Sequence, residues 1–246
     1  MERWVGKVAI VTGASSGIGA ATVQALARAG LITVGLARRA ERIEALRTGL
    51  PAEVGHRIHA HPCDVTDERS ILGAFEFVTR QFGGVDVLIN NAGVSKPTVT
   101  LLTPGNTAEL RTVLDTNVLG LVLCTREAHR SMKARSVAGH IVNVNSIAGH
   151  KYIDLPNLNV YGASKYAVTA ITETLRNELR HDSSKVKVTS ISPGIVRTEM
   201  IPDGFPVNEF PMLEPEDVVG AILYALGTPS HVQVHEVIIQ PVGEKL

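Results

Sequence analysis

Apolar and polar positions along the chain follow two alternating periods. Short apolar, often β-branched runs recur near 7–12, 31–37, 57–62, 85–90, 139–145, 186–192 and 234–240. Most are continuous rather than alternating, as in Val8-Ala9-Ile10-Val11 and Val85-Asp86-Val87-Leu88-Ile89. A strand apolar at successive positions is one covered on both faces. Longer stretches between the runs predict helices near 17–29, 40–49, 67–82, 106–133, 159–181 and 215–226, and strands alternating with helices predict parallel βαβ units. The last helix carries Pro215 in its first turn beside Glu216 and Asp217, where carboxylates favour the positive helix end. No Pro/Ser-rich linker, internal repeat or low-complexity tract interrupts the pattern, so a single α/β domain over 1–246 is expected.

Composition narrows the function. Lys plus Arg total 24 and Asp plus Glu total 24, so no net field draws in polyphosphate or anionic lipid. One Trp, four Tyr and five Phe are too few for base-stacking platforms, and no nucleic-acid partner is expected. Cys63 and Cys124 have no CxxC spacing, and the nine His form neither an H-E-x-x-H nor a Cys/His cluster, so no metal role is expected. No signal core follows the basic start, and no apolar run nears the ~20 residues of a membrane span. Those features predict a cytoplasmic protein without membrane insertion. The 22 glycines, spread without a period, predict many tight turns.

Some of those turns carry candidate chemistry. After the first strand comes Thr12-Gly13-Ala14-Ser15-Ser16-Gly17-Ile18-Gly19, opening a helix. Glycines there let backbone N–H groups at a helix N-terminus face a pyrophosphate. Three glycines alone are a weak signal; their place between the first strand and first helix strengthens it. At the end of the second strand, where a dinucleotide fold reads the adenosine ribose, stand Gly35-Leu36-Ala37-Arg38-Arg39, with no acid before Glu41. Arginine's planar fork suits a 2′-phosphate, so NADP(H) is the expected cofactor.

Tyr161-Gly162-Ala163-Ser164-Lys165 sets a phenol and an ammonium on one helix face. A phenol with an ordinary pKa of roughly 10 is a poor base at neutrality, and a nearby ammonium favours its charged form. Asn143-Val144-Asn145-Ser146 closes the fifth strand and Asn90-Asn91-Ala92-Gly93 the fourth, which puts Ser146 at the carboxyl strand ends where open α/β sheets bind ligands. Asn117 lies within the 106–133 helix among Leu114, Val118 and Leu121, where a buried amide needs partners. Singly, Ser146 reads equally as a turn cap, Asn117 as a core amide and Asn90-Asn91 as a plain turn.

In this order the motifs resemble the short-chain dehydrogenase/reductase family over essentially the whole chain. The matching segments are TGASSGIG at 12–19, Asp64-Val65, NNAG at 90–93, Asn117, Ser146, YGASK at 161–165, and Pro193-Gly194 with Thr198. The resemblance implies a Rossmann-type, doubly wound parallel sheet of seven strands in the order 3-2-1-4-5-6-7. It implies that Tyr161 is the acid/base and that Lys165 binds the nicotinamide ribose and lowers the Tyr161 pKa. Ser146 would orient the substrate oxygen, and Asn117 would hold a water of a proton relay. Gly13, Ser15, Ser16, Gly17, Ile18 and Gly19 would cradle the pyrophosphate. Asp64 and Val65 would meet the adenine, and Asn91, Ala92 and Gly93 would flank its ribose. Pro193, Gly194, Ile195 and Thr198 would border the nicotinamide. The MERW start, GLARR, SMKAR, GHIVNVNSIAGH and the EPEDVV to IIQP stretch look most like members acting on farnesol-like terpenoid alcohols or ketosteroids. One departure is a slightly longer gap between Ser146 and Tyr161 than many members have, which leaves the catalytic roles intact and the course of the pocket wall at 147–160 open.

Met200, Phe205, Phe210 and Met212 crowd the segment at about 195–214, an expensive exposure unless they close over something apolar. A hydrophobic alcohol or carbonyl substrate is therefore expected. The 106–133 helix is apolar around more than one face, with Leu114, Val118, Leu119, Leu121, Val122 and Leu123, which predicts a homodimer or homotetramer. Two rivals stay open: a non-catalytic NADP(H)-sensing protein, which would be free to lose Ser146, Tyr161 and Lys165, and a sugar-nucleotide epimerase, which normally needs a larger region after Pro193-Gly194.

Overall fold

A computed structural model describes residues 1–155, 157–202, 204–207 and 210–244. Strands β1 (Val8–Thr12), β2 (Ile32–Ala37), β3 (Ile58–Pro62), β4 (Val87–Asn90), β5 (His140–Val144), β6 (Lys187–Pro193) and β7 (Glu236–Ile239) form one parallel sheet in the order 3-2-1-4-5-6-7. Helices α1 (Gly17–Arg28), α2 (Ala40–Ala45), α3 (Ala52–Gly55), α4 (Glu68–Phe82), α5 (Thr107–Leu114), α6 (Leu121–Ala134), α7 (Tyr161–His181) and α8 (Pro215–Gly227) cover it. The fold is the Rossmann-type arrangement expected. The strand order reverses at β1 and β4, and the crevice above their carboxyl ends is the natural ligand site of an open α/β sheet.

The continuous apolar strands divide their residues between two cores, because successive side chains leave a strand on opposite faces. Ala9 and Val11 of β1, Val87 and Ile89 of β4 and Val142 of β5 pack with Val23 and Leu26 of α1 and Val218 and Ile222 of α8. Val8, Ile10, Leu88 and Ile141 pack on the other face with Ile71 and Phe75 of α4, Met132 of α6 and Leu179 of α7. Residues of β1, β4, β5 and β6 are buried throughout, whereas the edge strands β3 and β7 are partly open. At the start of α8, Glu214 and Asp217 form a reciprocal capping box with Pro215 in the first turn.

Three helix expectations change. The single helix expected over 106–133 is two α-helices joined by a π-helical turn at Asp115–Gly120. Gly120 makes room there: a Cβ on it would lie 2.7 Å from the Val65 carbonyl oxygen. The helix expected over 40–49 ends at Ala45, because Leu46, Arg47 and Thr48 donate to carbonyls three residues back and Gly49 turns to φ +80°. The helix expected from 159 starts at Tyr161, after Asn159 adopts a left-handed φ of +42° and its side-chain amide donates to the Lys96 carbonyl.

Candidate active site

The glycine loop is built for close backbone approach. Gly13 and Gly17 have φ of +64° and +52°, values an L side chain rarely adopts. A Cβ on Gly13 would stand 2.7 Å from the Ala92 Cα, one on Gly17 2.9 Å from the Thr198 Cγ2, and one on Gly19 2.3 Å from the Gly13 carbonyl oxygen. Ser16, the residue preceding α1, makes no side-chain cap, and no acid stands in the first turn. The first N–H groups of a helix have no partner within it, so those of α1 face the crevice with a positive partial charge. This donor set fits a pyrophosphate. Thr12 fastens the loop to β4: its Oγ1 accepts from the N–H groups of Asn91 and Ala92, both at 3.0 Å, and the Asn91 amide donates back to Thr12 O at 2.9 Å and Gly13 O at 3.2 Å.

Ser146 and Tyr161 come together at the carboxyl end of β5. The Ser146 Oγ accepts from Ala148 N–H at 3.1 Å and is hydrogen-bonded to the Tyr161 hydroxyl. Lys165, one helical turn after Tyr161, is buried with its Nζ 5.8 Å from the centre of the Tyr161 ring and donates to the Val144 carbonyl at 3.1 Å. Burial pushes the Tyr161 phenol above its ordinary pKa, opposed by the Ser146 hydrogen bond. Burial also pulls the Lys165 ammonium down to about 8. Desolvation acts on both members of the Tyr-Lys pair against their charged forms.

Asn117 sits on the inner side of the π-helical turn. Its Oδ1 accepts from Val94 N–H at 2.8 Å, and its Nδ2 donates to Val94 O at 3.0 Å and to the Ser164 Oγ at 3.0 Å. The side chain therefore clamps the chain after Gly93 against the helix that carries Tyr161 and Lys165. Asp64 bends its own chain, with Oδ1 accepting from Thr66 N–H at 3.0 Å and Thr66 Oγ1 at 2.8 Å, while Val65 packs against Gly120.

A lid and a wall border the Tyr161 side. The segment after β6 leaves and returns as a pair: Leu213 N–H donates to Ile195 O and Arg197 N–H to Leu213 O, both at 2.8 Å. Within it the Phe205 and Phe210 rings lie 5.2 Å apart, and Met200 reaches toward Gly93. Asp203, Asn208 and Glu209 of the expected 195–214 segment lie outside the described residues. On the wall, Ile147, Ala148 and Ile153 form a buried apolar cluster with Leu155, Leu158 and Tyr161. Arg38 and Arg39 stand exposed at the end of β2.

The short chain dehydrogenase family profile matches residues 7–205. The chain belongs to the short-chain dehydrogenase/reductase family. It is 59% identical over 245 residues to a farnesol dehydrogenase of Aedes aegypti, covering 100% of both chains. It is 43% identical to human dehydrogenase/reductase SDR family member 11, covering 98% of this chain and 96% of that one. Among solved structures it resembles an alcohol dehydrogenase from Thermococcus sibiricus complexed with 5-hydroxy-NADP, with TM-score 0.85, 28% identity and 98% of each chain covered. The protein is thus an oxidoreductase of this family.

Sequence reasoning missed the framework that holds this short-chain dehydrogenase/reductase site in place. The Asn90 amide donates to Thr125 Oγ1 at 2.8 Å and to Asn143 Oδ1 at 2.9 Å. Asn143 donates on to Thr172 Oγ1 at 2.9 Å, and Asn145 donates to Thr169 Oγ1 at 2.9 Å. This buried amide chain ties the ends of β4 and β5 to α6 and α7. The side-by-side Asn90 and Asn143 follow from the β4–β5 register, which no single strand encodes.

Proposed function

We propose that this protein is an NADP(H)-dependent oxidoreductase interconverting a hydrophobic alcohol and its carbonyl, of the farnesol-like terpenoid or ketosteroid class. The observation that carries the reading is the meeting of Ser146, Tyr161 and Lys165 beside the glycine loop, with an apolar wall on the Tyr161 side. Gly13 to Gly19, Arg38 and Arg39 would hold the cofactor, with Asn91 to Gly93 and Pro193 to Thr198 bordering it, and once bound it would supply or accept the hydride. In reduction the Tyr161 hydroxyl gives its proton to the carbonyl oxygen; in oxidation the phenolate takes the alcohol proton. Ser146 holds that oxygen in place. The raised phenol pKa keeps Tyr161 protonated at neutrality, ready to act as the acid. Lys165 would bind the nicotinamide ribose, and Asn117 keeps the Tyr161 helix in register with the chain after Gly93.

Following NADPH and NADH absorbance against a carbonyl panel tests this. NADPH is expected to win by kcat/KM, with farnesal or a ketosteroid turned over far better than small polar carbonyls; a preference for NADH or for the polar substrates overturns it. We further propose a homodimer or homotetramer, supported by the exposed Leu114, Leu119, Val122 and Tyr166 on the α5 to α7 side. Light scattering at micromolar concentration should give a multiple of the chain mass, and the monomer mass would refute assembly. A reducing cytosol suits the free, buried Cys63 and Cys124, and no helix among the described residues is long and apolar enough to cross a membrane.

A further inference from the structure

The lid segment reaches across the site to the arginines of β2 and α2. Glu199 follows Thr198, whose methyl group lies against Gly17 of the glycine loop. Its Oε1 accepts from Arg42 NH1 at 2.8 Å and its Oε2 from the same nitrogen at 3.1 Å, while Arg39 NH2 donates to Oε2 at 3.3 Å. One carboxylate from the substrate side thus takes two guanidinium groups at the end of the crevice where the adenosine ribose would be read. Arg39 and Arg42 share that single acid, and the nearby Glu44 is taken up by Arg47 at 2.8 Å.

A carboxylate bound to an arginine fork is the chemical counterpart of a phosphate bound to it, since both offer paired oxygens to parallel N–H donors. We propose that Glu199 occupies the place of the cofactor's 2′-phosphate on Arg39 and Arg42, so that the two compete and Glu199 sets how strongly the protein prefers NADP(H) over NAD(H). The inference rests on the NADP(H) reading above and deepens it. It adds Arg42 to the 2′-phosphate site and makes Glu199 a specificity-determining residue that touches no reacting atom.

The physical asymmetry is one of charge. A 2′-phosphate carries about −1.5 to −2 at neutral pH and three acceptor oxygens, against one charge and two oxygens on Glu199. The Glu199 pairs are half exposed, and exposed pairs are weak, so the phosphate displaces the carboxylate rather than being shut out by it. Displacement also releases the lid at Glu199, only two residues beyond Arg197, which remains paired with Glu214 at 2.9 Å. Occupation of the adenosine end is thereby passed to the segment that carries Met200 and Phe205. NAD(H), without the 2′-phosphate, leaves the Glu199 tether in place.

Calorimetric titration with 2′,5′-ADP and with 5′-ADP, neither of which contains nicotinamide, tests the competition apart from turnover. In Glu199→Gln the Kd for 2′,5′-ADP is expected to fall about three- to tenfold, the scale of losing an exposed ionic competitor, with 5′-ADP changed less than about twofold. An unchanged or weaker 2′,5′-ADP affinity in the variant, or an equal gain for both nucleotides, overturns the competition. Wild-type protein that binds 2′,5′-ADP no better than 5′-ADP overturns the NADP(H) reading itself, and the competition falls with it. Wild-type preference with no response to Glu199→Gln overturns the competition alone.

Discussion

Replacing Tyr161 with Phe is expected to lower kcat for both carbonyl reduction and alcohol oxidation by about 10²–10⁴-fold, the usual contribution of a positioned acid/base. The substitution removes one oxygen and keeps the ring that packs with Ile147, Ile153 and Leu158, so NADPH affinity and thermal midpoint should move little. Loss of rate with binding retained would separate chemistry from positioning. Equal rates in the two proteins would remove Tyr161 from the mechanism. Burial holds the phenol above its ordinary pKa, so in the wild type the protonated acid persists at neutrality. Oxidation, which needs the phenolate, should therefore climb through the alkaline range while reduction falls there. Both pH dependences should vanish in the Phe variant.

Acidification is the second large effect, and its source lies away from the site. His140 opens β5 fully buried, with its pKa driven down to about 3 by burial first and then by the charges of Lys187 and Arg3. Thr189 Oγ1 donates to Val234 O at 2.7 Å, so at the 2.9 Å contact between them His140 Nε2 must be the donor to Thr189. That leaves Nδ1 without a proton and without a partner among the described residues. Protonation would bury both an unpaired N–H and a charge. Because the folded pKa lies below the unfolded one, the stability of the neutral ring is fully present above about 6.5 and is lost as pH falls from there toward 3. At pH 4.5 the loss should be about 3 kcal/mol, from two pH units at 1.36 kcal/mol each. Urea unfolding at pH 7.5 and 4.5, in wild type and His140→Gln, measures it. Glutamine can still donate to Thr189 and does not titrate, so the variant should lose that much less on acidification; the same drop in both proteins would place the sensitivity elsewhere.

Most of the seven strands were legible because they are continuous apolar runs bounded by turns, and burial on two faces leaves little choice of residue. Their observed ends fall within two residues of those expected. The glycine loop was legible for a similar reason: positions whose Cβ would strike backbone, as at Gly13 and Gly19, or whose φ is positive, as at Gly17, favour one residue type. Asn117 was placed among candidate residues, but its helix was read as regular. A π-helical turn adds one residue to the hydrogen-bonded ring without altering composition, so local periodicity could not disclose it. Nor could spacing disclose that Asn117 clamps Val94 and Ser164, partners 23 and 47 residues away.

The charges show the same division. Arg38 and Arg39 stood out as a basic pair because they are adjacent in the chain and have no acid before Glu41. Glu199 lies 157 residues from Arg42, and only the return of the chain over the glycine loop brings them together. A Tyr and a Lys one turn apart state which groups are near each other but not how far water is excluded from both, and burial works against the charged form of each.

By itself, then, the sequence determined the fold class, the strand inventory and the glycine loop, because each rests on short-range sterics or on hydrophobic period. Tertiary structure alone decided the two-faced partition of the cores, the amide framework under the site, the protonation tendencies of Tyr161, Lys165 and His140, and the acid that meets the arginines. Those depend on burial and on contacts between distant segments, and neither quantity is a property of any local stretch of chain.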